Sequence, residues 1–259
     1  MWRSDSVDGV RLWARCGGGK TGPGSPLPVV LVHGLGVSGT YLVPLARRLA
    51  AHHAVWIPDL PGHGRSDHAP HPLDVPALAA ALLGWMDAVG LERALLVGQS
   101  LGCQVITELA ARRPERAAGL VLVAPTPDPA TRTPRQVALH LLADVPHERA
   151  SLVPIVAVDY LRAGPRVIRA EYRAMEEHPM REALDDVRRS AVPCAVVRGE
   201  HDTIVGPVWT SEVARLCGAP APVTVRGVGH AVQHSTPGAV QTVSRALCER
   251  VPVERMERR

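Results

Sequence analysis

The chain has 259 residues, of which 46% are hydrophobic, and a formal net charge of +4 at neutral pH. This length and a mean hydropathy of +0.04 are typical of one globular domain with room for an insertion. No apolar run approaches the roughly 18 residues of a membrane span, and the N-terminus lacks the apolar core of a secretory signal. The five scattered cysteines favour reduced thiols and a cytoplasmic protein.

The positive charge does not indicate a nucleic-acid partner. The cationic residues are almost all arginine and are spread along the chain, with Lys20 the only lysine. Nucleic-acid binding would require a basic stripe with interleaved aromatics, whereas Phe is absent and Tyr and Trp are few. We therefore expect a small-molecule substrate, no nucleic acid and no membrane association. The sequence does not indicate an oligomeric state.

The predicted elements begin with an antiparallel hairpin. The stretch S-V-D-G-V-R-L-W-A-R (6–15) places a D-G turn between short alternating segments, and the Gly- and Pro-rich residues 16–28 predict a flexible loop. Short aliphatic runs then recur, apolar at every position, as strands buried on both faces require. These runs are 29–32, 54–57, 94–97, 120–123, 195–197 and 223–225.

Helix-length segments lie between the runs. Residues 74–89 carry apolar residues at spacings of three and four behind a capping Asp74, and residues 101–113 end at Pro114. Strand alternating with helix predicts an α/β fold with a mostly parallel, doubly wound sheet of about eight strands.

Residues 126–190 interrupt this alternation. They contain helix-like segments near 134–144, 150–163, 165–177 and 180–189, and no strand-like run occurs before residue 195. We predict a helical cap inserted after the sixth strand. The core domain would then comprise residues 1–125 and 191–259, and the cap residues 126–190.

One serine lies between two glycines directly after an aliphatic run. The pattern G-Q-S-L-G (98–102) ends the run at 94–97 and opens the predicted helix. A serine on such a turn exposes its hydroxyl, and a Cβ on either glycine would collide with the neighbouring strand and helix. A structural turn is the alternative interpretation, but the strand-to-helix context favours Ser100 as a nucleophile.

A serine nucleophile requires a base and an orienting acid, and both types of residue follow later strands. R-G-E-H-D (198–202) and G-V-G-H (227–230) each follow an aliphatic run. Because the carboxyl ends of parallel strands meet at one edge of the sheet, Ser100, Asp202 and His230 are predicted to meet there.

A further glycine-rich turn, V-H-G-L-G (32–36), also follows a strand directly. Its glycines would expose backbone N–H groups towards the serine, so we predict the amides of Leu35 and Leu101 as oxyanion donors. With His230 as an ordinary imidazole base, the rate should fall as the pH drops through about 6 to 7.

These motifs, together with D-L-P-G-H-G-R-S-D (59–67), resemble the α/β-hydrolase family in its lidded branch. The resemblance covers nearly the whole chain and is weakest in residues 126–190. It implies Ser100 as nucleophile, His230 as general base and acid, and Asp202 as the residue that orients His230. Dehalogenases and epoxide hydrolases of this fold carry Asp at the nucleophile position, so Ser100 argues against both.

Several neighbouring residues have alternative interpretations. Asp128 follows the preceding strand and competes with Asp202 as the acid, although G-E-H-D matches the usual motif better. His33 and His63 are expected to brace loops by hydrogen bonds. Cys103 lies near a helix N-terminus, which could lower its pKa, but packing behind the nucleophile is the simpler reading. The histidines at 52–71 lack helical pairing and acid ligands, so we predict no metal site.

The leading functional hypothesis is a serine hydrolase that cleaves an ester, thioester or lactone through an acyl-enzyme, without a cofactor. Carbon–carbon bond hydrolysis, acyl transfer or cyclisation in a natural-product pathway, and a non-catalytic ligand carrier are the alternatives. The arginine-rich, high-alanine composition is the basis of the pathway suggestion. The candidate substrate-binding residues are Gly34, Gln99, His140, Tyr160, Tyr172 and Met175.

The predicted cap also carries apolar side chains at helical spacings, which favour a small to medium apolar acyl group; some of them would only pack on the core. These positions are Leu139, Leu142, Val153, Val156, Ile168 and the tyrosines and methionine already named. Arg162, Arg169 and Arg173 could meet a carboxylate or a carrier phosphate at the rim, although a solvated helix face explains them more simply.

Overall fold

The computed structural model describes residues 1–19, 21–22, 25–131 and 133–250. The strands in this part of the chain are β1 (Trp2–Val7), β2 (Val10–Gly18), β3 (Val29–Val32), β4 (Ala54–Pro58), β5 (Ala94–Gln99), β6 (Ala117–Val123), β7 (Cys194–Gly199) and β8 (Val223–Val225). They form one sheet in the order β1-β2-β4-β3-β5-β6-β7-β8. β1 and β2 pair antiparallel with each other, β2 pairs antiparallel with β4, and all other pairs are parallel.

The helices of the described residues are α1 (Val43–Leu49), α2 (Val75–Val89), α3 (Leu101–Arg112), α4 (Pro134–Asp144), α5 (Leu152–Glu177), α6 (Met180–Arg189), α7 (Pro207–Leu216), α8 (Val232–Ser235) and α9 (Pro237–Arg250). Successive strand residues point to opposite faces. Val30 and Val32 therefore join the core beneath α2 and α3, whereas Val29 and Leu31 join the core beneath α1 and α9. No helix in these ranges is both long and apolar enough to cross a bilayer.

All six predicted aliphatic runs are strands, and the predicted N-terminal hairpin is present, with Val7 paired to Val10 across the turn. Two expectations were wrong. Val223 in β8 is 43% exposed rather than buried, because β8 is an edge strand paired only with β7. Residues 16–18 belong to β2 rather than to a loop, because they pair with β4. Residues 20, 23 and 24 of that predicted loop lie outside the described ranges.

The predicted helices are also present. Asp74 accepts a hydrogen bond from Ala77 N at 2.8 Å and so caps α2. Four predicted segments between 126 and 190 correspond to α4, the two halves of α5, and α6. Gly164 interrupts α5 with a φ of 75°, directly before Pro165, which explains why the sequence pattern divides there. The chain thus leaves the sheet after β6, forms these helices and returns to it at β7.

Candidate active site

Ser100 lies on a tight turn between β5 and α3, with φ 54° and ψ −122°. Residues other than glycine rarely adopt a positive φ, so this conformation must be held by its surroundings. A Cβ on Gly98 would lie 2.5 Å from the carbonyl oxygen of Gly102, and a Cβ on Gly102 would lie 2.4 Å from that of Val32. Both glycines are therefore required for β3, β5 and α3 to approach each other around the serine.

The Ser100 hydroxyl faces a cavity and contacts a threonine. Its Oγ lies 3.4 Å from the Oγ1 of Thr126, which follows β6. Ser100 and His230 border the same cavity, but among the described residues no hydrogen bond joins them. Thr126 was not identified from the sequence, because it belongs to no motif.

Asp202 and His230 lie in direct contact. The Nδ1 of His230 is 3.0 Å from the Oδ2 of Asp202, whose side chain is fully buried. The other carboxylate oxygen of Asp202 accepts hydrogen bonds from Ile204 N and Val205 N, both at 2.9 Å. These bonds fix the carboxylate so that one oxygen faces the imidazole.

Asp128, the alternative acid, is engaged elsewhere. Its two carboxylate oxygens accept hydrogen bonds from Ala130 N and Gly206 N, both at 2.8 Å. Asp128 borders the cavity, but the structure places Asp202 against the His230 ring.

The surroundings of His230 favour the protonated ring. Burial alone would lower the pKa of this imidazole, but the carboxylates of Asp202, Asp144 and Glu148 outweigh burial and raise it to about 9. The range of 6 to 7 expected for an ordinary imidazole is therefore too low for this site. A sequence motif does not show which carboxylates will surround a histidine.

The oxyanion loop, defined here as residues 33–38, presents its backbone amides to several different partners. Gly34 N donates to the hydroxyl of Tyr41 at 2.9 Å. Gly36 N donates to Glu171 of α5 at 3.2 Å, and Ser38 N donates to Asp159 of α5 at 2.8 Å. Within the described ranges neither the Leu35 N–H nor the Leu101 N–H forms a hydrogen bond.

The two predicted oxyanion donors thus differ in position. Leu35 borders the cavity, whereas the Leu101 side chain is buried in the core and its amide lies at the first position of α3. The first amides of a helix have no partner within the helix, and the helix dipole adds positive potential there.

Gln99, one of the predicted substrate-binding residues, also connects the loops of the site. Its Oε1 accepts a hydrogen bond of 2.7 Å from the Tyr41 hydroxyl, and its Nε2 donates to the carbonyl oxygen of His230 at 3.4 Å. Burial raises the pKa of Tyr41, so this phenol remains a neutral donor. Tyr41 therefore links the oxyanion loop to the serine turn, and no sequence motif identified it.

The two bracing histidines hold loops together, as predicted. Nδ1 of His33 donates to the carbonyl oxygen of Gly34 at 2.9 Å, and its Nε2 accepts from Leu60 N at 2.9 Å. Burial and the neighbouring His63 lower the pKa of His33 to about 3, so the ring is neutral. His63 lies 3.2 Å from Glu171 of α5. Burial opposes charge on His63, but Glu171 raises its pKa.

Cys103 packs behind the serine turn. Its thiol is buried and lies 3.2 Å from the carbonyl oxygen of Gly98 and 3.3 Å from that of Val123. Burial raises the pKa of this thiol, the opposite of the lowering that a helix N-terminus alone would cause. All five cysteines are free.

A cavity of about 340 Å³ opens above Ser100, between the core loops and the helices α4 and α5. Of the candidate substrate-binding residues, Gly34, Gln99, Tyr160 and Met175 border it, whereas His140 and Tyr172 do not. His140 instead accepts a hydrogen bond from Thr203 through its backbone oxygen. Most of the remaining lining from α4 and α5 is aliphatic: Val137, Leu141, Leu142, Leu152, Val153 and Val156.

The sequence and the fold were compared with those of known proteins. The chain is 30% identical to a pimeloyl-[acyl-carrier protein] methyl ester esterase of Xanthomonas axonopodis pv. citri, over 78% of this chain and 87% of that enzyme. Its fold superposes with a TM-score of 0.76 on a thermophilic esterase from Thermogutta terrifontis, which is 24% identical, covering 97% of this chain and 99% of the other.

A second solved structure, the enol-lactonase from Burkholderia xenovorans LB400, superposes with a TM-score of 0.76 at 23% identity, covering 95% of this chain and all of the other. The model of the alpha/beta hydrolase family matches residues 29–241. This match spans most of the chain and includes every motif of the candidate site. The chain therefore belongs to the alpha/beta hydrolase family and is a hydrolase.

Proposed function

We propose that this hydrolase cleaves carboxylic esters or lactones, with Ser100 as nucleophile, His230 as general base and Asp202 as its orienting acid. The observation that carries the proposal is the 3.0 Å contact between Asp202 and His230. His230 borders the same cavity as Ser100. Similarity to an enzyme named as a methyl ester esterase supports ester substrates.

In this mechanism His230 accepts the Ser100 proton on Nε2 while Oγ bonds to the substrate carbonyl carbon. The carbonyl electrons move to the oxygen, where the Leu35 and Leu101 amides stabilise the negative charge. The imidazolium then protonates the leaving alcohol, and water releases the acyl group by the same steps. Ser100 Oγ contacts Thr126 in this structure. The hydroxyl must therefore turn towards Nε2 of His230 before the proton is transferred, and hydrogen bonds of this kind often form only when substrate is bound.

The test is a panel of activated substrates that share one acyl chain and differ in the leaving group. The panel comprises an alkyl ester, a thioester, a lactone, a carbon–carbon substrate with a cleavable ketone, and a methyl ester attached to an acyl carrier protein. Turnover of the ester and lactone supports the proposal. Turnover of the ketone alone would show a carbon–carbon hydrolase, and binding without turnover would show a carrier.

The carrier-bound ester is included because of charge as well as similarity. Arg162, Arg169 and Arg173 are exposed on α5, the helix that also supplies Tyr160 to the cavity, and none forms an ion pair within the described ranges. A carrier with an acidic surface would be attracted to these arginines by charge complementarity.

Acyl transfer is tested in the same panel by adding an alcohol. An ester product rather than a free acid would then indicate acyl transfer.

We also propose that residues 126–190 cap the acyl pocket and select for chain length. Shortening Leu142 and Val156 to alanine is expected to raise the KM for an octanoyl ester by about 10- to 30-fold, and that for an acetyl ester by less than about twofold. This factor corresponds to about 1.4 to 2 kcal/mol, or about two lost methylene contacts at about 1 kcal/mol each, and only the longer chain reaches these side chains.

The matched control for this chain-length series is the pair Leu139→Ala and Leu161→Ala, at exposed positions of the same two helices that do not border the cavity. These variants should behave as wild type on every ester. Equal loss on acetyl and octanoyl esters in the first pair would mean that the acyl chain binds elsewhere.

The pH dependence of wild-type kcat/KM follows from the raised pKa of His230, about 9. The neutral ring is the base, so activity should rise with pH through 7 and 8 and approach a plateau only above about 9. Rates measured from about pH 5 to about pH 10, with the Ser100→Ala protein as the blank for spontaneous hydrolysis, check this expectation. A plateau that begins near pH 7 would contradict it.

A further inference from the structure

Two carboxylates, from the last residue of α4 (Asp144) and from the turn that follows it (Glu148), hold the backbone of His230. The His230 N–H lies 3.1 and 3.0 Å from the two oxygens of Asp144. The next amide, that of Ala231, donates to Oε1 of Glu148 at 2.5 Å. Asp144 is only 4% exposed. Neither carboxylate belongs to the core motifs, and both border the cavity.

Residues 144–148 also contact the residues before and after His230. A Cβ on Gly229 would lie 2.5 Å from an Asp144 oxygen, so the glycine before the histidine leaves room for this carboxylate. Gly229 N donates to the carbonyl oxygen of His147 at 3.2 Å. Beyond the histidine, Ser235 donates to Glu148. Residues 144–148 therefore form hydrogen bonds with the chain on both sides of His230.

The charged groups that face His230 come from two directions. Asp202 approaches the ring from the loop after β7, and Asp144 and Glu148 approach from the C-terminal end of α4 and the turn after it. All three raise the pKa of the ring. Burial, and then Asp144, raise the pKa of Glu148. Other titratable groups adjoin this turn: His147 and His201 stack with ring centroids 4.5 Å apart, Glu200 accepts a hydrogen bond from Gly227 N at 2.9 Å, and His234 lies in α8.

We propose that Asp144 and Glu148 are positioning residues, which hold the His230 backbone against residues 144–148 and stabilise the imidazolium formed when His230 takes the Ser100 proton. This inference rests on the proposed function, in which His230 is the base. Asp202 contacts the ring itself, whereas this carboxyl pair acts through the main chain and through its charge. Residues 144–148 thus contribute to the chemistry as well as to the pocket.

The test separates charge from position. Asp144→Asn and Glu148→Gln keep the size and one acceptor oxygen but remove charge, whereas Asp144→Ala removes the acceptor too. Glu177→Gln, which removes an exposed carboxylate of α5, is the matched control. The first readout is the titration of the His230 ring, followed by NMR in histidine-labelled protein and assigned with a His230→Gln variant. The second is kcat/KM against pH on p-nitrophenyl butyrate.

We expect Asp144→Asn and Glu148→Gln to lower the His230 titration midpoint by about one pH unit and to move the acid limb of kcat/KM by the same amount. Above that midpoint their kcat should approach the wild-type value. Asp144→Ala should lower kcat by about 10- to 100-fold even there, because the ring is misplaced. Glu177→Gln should change neither readout.

An unchanged His230 midpoint in both amide variants, or wild-type kcat for Asp144→Ala at every pH, would overturn the inference. If Asp144→Ala does not fold, as judged by circular dichroism, the two amide variants still decide. The NMR titration requires no turnover. A wild-type protein that hydrolyses none of the esters therefore refutes the proposed function, while the titration still reports on the carboxyl pair.

Discussion

Replacing Ser100 by alanine is expected to lower kcat/KM on the preferred ester by about 10⁴- to 10⁶-fold while leaving the fold intact. The alanine keeps the Cβ that the turn already accommodates, and the one side-chain hydrogen bond lost is the 3.4 Å contact with Thr126. Removing the hydroxyl therefore abolishes the nucleophile with little effect on stability. A positive φ is no easier for alanine than for serine, so strain in the turn is unchanged.

Covalent labelling gives a second measurement for Ser100 that does not depend on knowing the substrate. A fluorophosphonate probe should label the wild-type protein and should not label Ser100→Ala. Ser211→Ala, which removes an exposed hydroxyl on α7, is the matched control and should be labelled and active as wild type. If Ser100→Ala retained a tenth or more of the wild-type turnover, Ser100 would not be the nucleophile.

Asp202→Asn is expected to lower kcat by about 10³- to 10⁴-fold, and the geometry gives the reason. One carboxylate oxygen accepts from Ile204 N and Val205 N, so an asparagine would place its own oxygen there. Its amide NH₂ would then face Nδ1 of His230. The ring would have to accept at Nδ1 and carry its proton on Nε2, which leaves no base for Ser100.

Asp128→Asn is the matched comparison for Asp202→Asn. Asp128 is also a buried acid that accepts from two backbone amides, but it does not contact His230. The asparagine loses one of these acceptors, so we expect some loss of thermal stability and a change in kcat of less than about tenfold. Comparable damage by both substitutions, or greater damage by Asp128→Asn, would move the orienting acid to the loop after β6.

The sheet and the meeting of its loops could be predicted from local pattern. The run at 29–32 is apolar at every position because β3 is buried on both faces, and the same holds for β5 and β6. Parallel strands place the loops that follow them at one edge, so motifs after β5, β7 and β8 had to lie near each other. The pattern could not show that β8 is an exposed edge strand, since strand order depends on pairing partners.

The helices of residues 126–190 were predictable as helices, but the faces they present to the cavity were not. Leu139 and Leu142 lie on one helix three residues apart, yet only Leu142 borders the cavity. Tyr172 and His140, both expected to bind substrate, do not border it. Helical periodicity shows that an apolar face exists and leaves open whether that face meets the core, the cavity or solvent.

The sequence by itself determined the family, the sheet and the three residues of the proposed triad. The reason is that aliphatic runs identify the strands, and each short motif directly follows one of them. Only the tertiary structure decided the electrostatics of the site. Two of the carboxylates that raise the pKa of His230, those of Asp202 and Asp144, lie 28 and 86 residues away in the chain, and Glu171 lies 135 residues from Gly36. Asp159 likewise holds Ser38 from 121 residues away. No local pattern specifies which buried acid will meet which amide, since packing of the helices on the core brings them together.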